Sequence, residues 1–127
     1  MAKKKILLVD DEIDFLQLLK ARLEANNYEV VTAMNGAEAL KKFKDQPPDA
    51  LMLDIMMPEI NGLEVLKKIR EVNRGIPVFV ITAFNNEERF KTANQFNASG
   101  FIIKTNDLQA EIDKIGALLK ITEKHKR

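Results

Sequence analysis

The sequence has no cysteine, and its single histidine, His125, lies in the charged tail "EKHKR". The first absence excludes disulfides and thiolate metal sites. The second leaves nothing from which to build a histidine metal cluster or a Ser-His-Asp triad. No apolar run approaches the roughly 20 residues that a membrane span needs. The basic start "MAKKKILLVDD" meets acids too soon for a signal peptide. An excess of one charge is missing as well. Twenty Lys+Arg against 19 Asp+Glu leave +1 over 127 residues, so net charge announces neither a nucleic-acid nor a membrane surface. The length suits one domain with one core, and a cytoplasmic protein is expected.

What is present alternates. Five short apolar runs, "ILLV", the valines of "YEVVTA", "ALML", "VFVI" and "FII", have the length and character of strands buried on both faces. Between them lie segments with helical spacing. Leu16, Leu19 and Leu23 form one stripe; Ala39, Leu40 and Phe43 a shorter one; Val65, Leu66, Ile69 and Val72 a third. Leu108, Ile112, Ile115 and Leu119 form the most regular. A β-α unit repeated five times predicts a doubly wound α/β fold, a five-stranded parallel sheet with helices on both faces. The second strand is the least apolar and is placed at an edge, which gives the order 2-1-3-4-5. The fourth helix is the weakest. "NNEERFKTANQFNAS" (85–99) carries four asparagines, each roughly half a kcal/mol or more worse than alanine in a helix interior. Only Phe90, Ala93 and Phe96 suggest its inner face. The domain is expected over 1–122, with 123–127 as a charged tail or the start of a linker.

Several of the apolar runs end abruptly in polar residues. Asp10 and Asp11 close the first, Asp54 the third, Thr82 the fourth and Lys104 the fifth. In an open parallel sheet, ligands bind beyond the carboxyl ends of the strands where strand order reverses, here between strands 1 and 3. Singly, each residue has an ordinary explanation. Asp11 suits a helix N-cap, Asp54 a turn, Thr82 a strand and Lys104 a solvated surface. Jointly they predict a site. Three carboxylates crowded together repel one another and push each other toward neutrality, so a cation belongs among them. Lys104 is one. Hard oxygen ligands without nitrogen or sulfur select magnesium (Mg2+), or manganese (Mn2+), for the other. Such a metal, a lysine, a hydroxyl and a carboxylate able to attack phosphorus suit phosphoryl transfer through an aspartyl phosphate.

The stretches "VDDE" (9–12), "LDIMMPEINGLEVLKKIR" (53–70), "VITA" (80–83) and "ASGFIIK" (98–104) together resemble the receiver domain of two-component response regulators. The resemblance includes the single-domain regulators of the chemotaxis and sporulation type. It runs from Lys4 to about Leu119 and implies a flavodoxin-like (βα)5 fold. It further implies that Asp54 is the phosphoacceptor, loaded by a sensor histidine kinase or phosphotransfer protein. Asp11 and Asp54 would ligate Mg2+ directly, Asp10 mainly through water, and the Met56 carbonyl would complete the protein ligands. Lys104 would hold a phosphoryl oxygen, beside Met56 and the small Ala83. Pro58 and Gly62 match the loop after the third strand. Thr82 and Phe101 would form the switch toward a downstream protein or output domain; without the resemblance, Phe101 reads as a plain core aromatic. A hydrogen bond to a charged group contributes about 1.5–3 kcal/mol, whereas inverting a 1:99 population takes about 5.5 kcal/mol. Thr82 alone is therefore insufficient, and Lys104 must share the load.

Thr105 departs from the family, which follows the lysine with proline through a cis bond. A non-proline cis bond costs about 2.5–4 kcal/mol, so a trans bond and a slightly altered loop are expected. Met56 and Phe84 cannot orient a hydrolytic water, which predicts slow self-dephosphorylation. The expected role is signalling without turnover of an external substrate, with no nucleic acid or membrane bound by this chain. Two alternatives remain at this point. One is a phosphohydrolase of the haloacid dehalogenase type, which needs a second acid where Met56 stands. The other is a degenerate receiver that never accepts phosphate. A dinucleotide-binding fold is disfavoured, because "VDDEID" replaces the glycine-rich turn.

Overall fold

The computed structural model describes residues 3–55, 62–82, 91, 94–95, 97–104 and 107–124. Its elements alternate: β1 (Lys4–Val9), α1 (Ile13–Ala25), β2 (Tyr28–Ala33), α2 (Gly36–Asp45), β3 (Ala50–Asp54), α3 (Gly62–Val72), β4 (Val78–Thr82), β5 (Gly100–Ile103) and α4 (Leu108–Lys124). The strands form one parallel sheet in the order β2-β1-β3-β4-β5, as the sequence predicts, with β2 at an edge. The asparagine-rich segment expected as a further helix lies largely outside the described residues, Phe90, Ala93 and Phe96 included.

The strands are apolar throughout because successive side chains serve opposite faces. Leu7, Val9, Leu51, Leu53, Val78 and Val80 join one core with Ala39 and Phe43 of α2 and Val65, Leu66 and Ile69 of α3. Ile6, Leu8, Met52, Phe79, Ile81 and Ile102 join the other with Leu16, Leu19 and Leu23 of α1 and Ile112, Ile115 and Leu119 of α4. Burying each such Leu or Ile side chain contributes roughly 1.5–3 kcal/mol. The helical stripes are thus the faces that lie on the sheet.

One stripe residue departs from expectation. Val72 is 77% exposed. It occupies the last turn of α3 and lines a groove of about 530 Å³ between α2 and α3, with Leu40, Phe43 and Ile69 among its neighbours. Leu108, at the start of the α4 stripe, is only half-buried.

Candidate functional site at the carboxyl edge of the sheet

Strand register gathers the polar ends. Val9 pairs with Leu53, so one further step sets Asp10 beside Asp54. Asp54 pairs with Ile81 and Thr82 with Ile103, immediately before Lys104. The Lys104 amide donates to the Thr82 carbonyl at 2.9 Å and extends the ladder past the last strand residue. Period two along the strands carries Asp10 and Asp54 to the α1 and α4 side, in line with Leu8 and Met52. Asp10 is fully buried, Asp54 is 3% exposed and Thr82 is 2% exposed.

Carboxylate oxygens of Asp10, Asp11 and Asp54 lie within 4.8 Å of one another. The Lys104 ammonium stands 2.8 Å from Asp10 Oδ2, 2.8 Å from Glu12 Oε1 and 3.3 Å from Asp54 Oδ2. It also lies 4.8 Å from the centre of the Phe15 ring, near enough for a cation–π contact. Three carboxylates therefore face one ammonium, and Asp11 adds a fourth negative charge to the cluster. Burial pushes the Asp10 carboxyl up from 3.8 to about 7; Lys104 opposes that rise and neighbouring Asp54 adds to it. Burial also disfavours the Lys104 charge, but Asp10 and Glu12 outweigh it and hold the ammonium above its ordinary range.

Asp10 does structural service too. Its Oδ1 accepts from the Glu12 amide at 2.9 Å, just where α1 begins. Glu12 takes the N-cap position without a side-chain cap bond, so Asp11 is not the cap and its exposed carboxylate is left to the cluster. Asp10 Oδ2, wholly buried, has the ammonium charge near it but no aligned hydrogen-bond donor among the described residues. A buried carboxylate oxygen in that state, with two more acids beside it, fits a hard divalent cation.

Gly62 explains how α3 begins so close to the site. A Cβ there would overlap the Asp54 carbonyl oxygen and lie 2.5 Å from Ile55 Cα. Any side chain would lever the helix start away from the end of β3. Phe101 is half-buried against the α2 and α3 core. It pairs with Val80, two residues before Thr82, so the two expected switch residues share a sheet face on adjacent strands. Met56, Pro58, Ala83, Phe84 and the bond to Thr105 lie outside the described residues. Sequence reasoning missed Glu12 and Phe15 as neighbours of Lys104. The only signal for Glu12 was its place directly after the two aspartates.

A family model described as the response regulator receiver domain matches residues 6–115. Among curated relatives, the chain is similar to the alkaline phosphatase synthesis transcriptional regulatory protein PhoP of Bacillus subtilis, 35% identical over 94% of this chain and 50% of that protein. It is also similar to the probable transcriptional regulator ycf27 of Cyanophora paradoxa, 37% identical over 95% of this chain and 50% of that protein. The chain spans about half the length of the curated relatives it matches. Among solved structures, a CheY-like response regulator receiver domain protein from Methanospirillum hungatei superposes with a TM-score of 0.91 at 28% identity, covering 97% of this chain and 98% of that one. Among the described residues no helix is long and apolar enough to cross a membrane. With the family match spanning both cores and the acidic edge between them, the chain belongs to the response regulator receiver domains of two-component signalling.

Proposed function

We propose that this receiver domain accepts a phosphoryl group on Asp54 and changes conformation in response. A carboxylate oxygen of Asp54 attacks the phosphorus of a phosphohistidine on a sensor histidine kinase or phosphotransfer protein. The O–P bond forms as the N–P bond breaks, and the departing imidazole nitrogen keeps the electron pair and takes up a proton. Asp10, Asp11 and Asp54, with the Met56 carbonyl, would hold Mg2+ or Mn2+, which supplies charge neutralisation between the acids and the phosphoryl oxygens. Lys104 takes a phosphoryl oxygen and stabilises charge in the transition state. Ala83 leaves room for the group. The Thr82 hydroxyl then binds the phosphoryl group and Phe101 turns into the space it leaves, altering the surface offered to a downstream protein or output domain. No external substrate is turned over.

The reading rests on one observation: three carboxylates within 4.8 Å of one another share an edge with an ammonium 3.3 Å from Asp54. Intact-mass spectrometry after incubation with acetyl phosphate and Mg2+ tests it. Wild type should gain one phosphoryl, and Asp54→Ala none. An equal gain in both proteins, or none in either, would contradict it.

A further inference from the structure

We propose that Glu12 is a positioning residue, resting on the phosphoacceptor reading of Asp54: it parks the Lys104 ammonium in the resting protein and must release it when a phosphoryl group arrives. A lysine ammonium has three N–H donors and no acceptor. Here Glu12 Oε1 at 2.8 Å and Asp54 Oδ2 at 3.3 Å each accept one of them, while Asp10 Oδ2 faces the charge at 2.8 Å without an aligned N–H. An arriving phosphoryl oxygen needs one of those donors.

The three partners differ in what it costs to let go. The side chains of Asp10 and Asp54 are 0% and 4% exposed, that of Glu12 60%. A buried carboxylate that loses its cation is left in a poor solvent for charge, whereas Glu12 simply hydrates. Glu12 is therefore the partner that yields. Until it does, its charge competes with phosphoryl oxygens for the same ammonium. The backbone of Glu12 is fixed independently, by the hydrogen bond that its amide N–H donates to Asp10 Oδ1 at 2.9 Å, so the side chain can swing without disturbing the entry to α1. The Phe15 ring, 4.8 Å from the ammonium, limits how far Lys104 can move when it is released.

The test is binding of beryllofluoride, a phosphoryl mimic, at saturating Mg2+, read by the amide NMR shifts of residues 100–104. Glu12→Gln keeps the shape and removes the charge. Glu12→Asp keeps the charge but shortens the reach. Partly exposed ion pairs are weak, so both variants should bind the mimic about two- to fivefold more tightly than wild type. A gain in Glu12→Gln alone would assign the effect to diffuse charge and overturn the parking contact. Unchanged or weaker binding in both variants would also overturn it. Failure of wild type itself to bind would refute the phosphoacceptor reading, and this proposal with it.

Discussion

Among the described residues, two cations bracket β4 and β5, buried Arg70 at one end and half-buried Lys104 at the other, and they are held in opposite ways. At the amino ends, Arg70 of α3 donates to the backbone carbonyls of Asn73 at 3.3 Å, Ile76 at 2.7 Å and Asn97 at 2.7 Å. At the carboxyl ends, Lys104 lies among carboxylates. Burial lowers the affinity of Arg70 for its proton, yet a guanidinium stays charged in any protein, and its planar fork suits several fixed acceptors. Lys104 is a compact charge on a flexible stem, held above its ordinary range by acids. The arginine ties two loops into one place. The lysine sits in a surplus of negative charge that only another cation can relieve. The difference separates an interaction that fixes the fold from one whose partners can be exchanged.

The two ends of the sheet should differ most in their response to pH. The folded Asp10 carboxyl titrates near 7 against 3.8 in the ordinary state, so the folded protein holds that proton more tightly than the unfolded chain. The resulting stability is fully present below about pH 4 and is lost as pH rises through about 7. The whole displacement corresponds to at most about 4 kcal/mol. Urea unfolding of metal-free protein should show wild type losing ground to Asp10→Asn between pH 5 and pH 8. Adding Mg2+ should restore wild type and stabilise Asp10→Asn less, since Asp11 and Asp54 remain. A constant difference across that range would break the distinction between the two edges.

Arg70→Met should cost about 3 kcal/mol at any pH, because buried carbonyls left without a donor cost roughly 1–3 kcal/mol each. Mg2+ should not rescue it, and Arg70→Lys should recover little, since an ammonium cannot replace the fork. Denaturant midpoints of the three proteins decide this. Gly62→Ala should cost about 3 kcal/mol or more, because the new methyl meets the backbone of Asp54 and Ile55, which cannot swing aside. Its loss should fall on the site as well as on the fold. Mg2+ affinity read by calorimetry should weaken in Gly62→Ala and stay near wild type in Arg70→Met.

Much of this was legible in the chain, for a physical reason. A strand buried on both faces has no freedom in its residue types, so "ILLV" and "VFVI" announce themselves, and parallel pairing then brings all the carboxyl ends to one edge. Asp10, Asp54, Thr82 and Lys104 could be placed together from topology alone. Periodicity tells which way a side chain faces but not how far the neighbouring element extends. Val72 keeps the stripe of Val65 and Ile69 and still ends 77% exposed. Arg70 follows Ile69 directly and reads as a solvated charge; its burial depends on carbonyls of residues 73, 76 and 97, which only tertiary folding assembles. The contact of Glu12 with Lys104 spans 92 residues and has no local signature. Likewise, Asp11 had the composition of a helix cap, but the bond that organises the start of α1 comes from Asp10.

The most direct test is to locate the esterified carboxylate. After brief exposure to a small-molecule phosphodonor with Mg2+, borohydride reduction converts an aspartyl phosphate to homoserine, which peptide sequencing by mass spectrometry can place. The expected result is homoserine at position 54, absent when Mg2+ is chelated. Homoserine at another aspartate, or labelling that ignores the metal, would contradict the assignment of this edge of the sheet as a metal-assisted phosphoacceptor site.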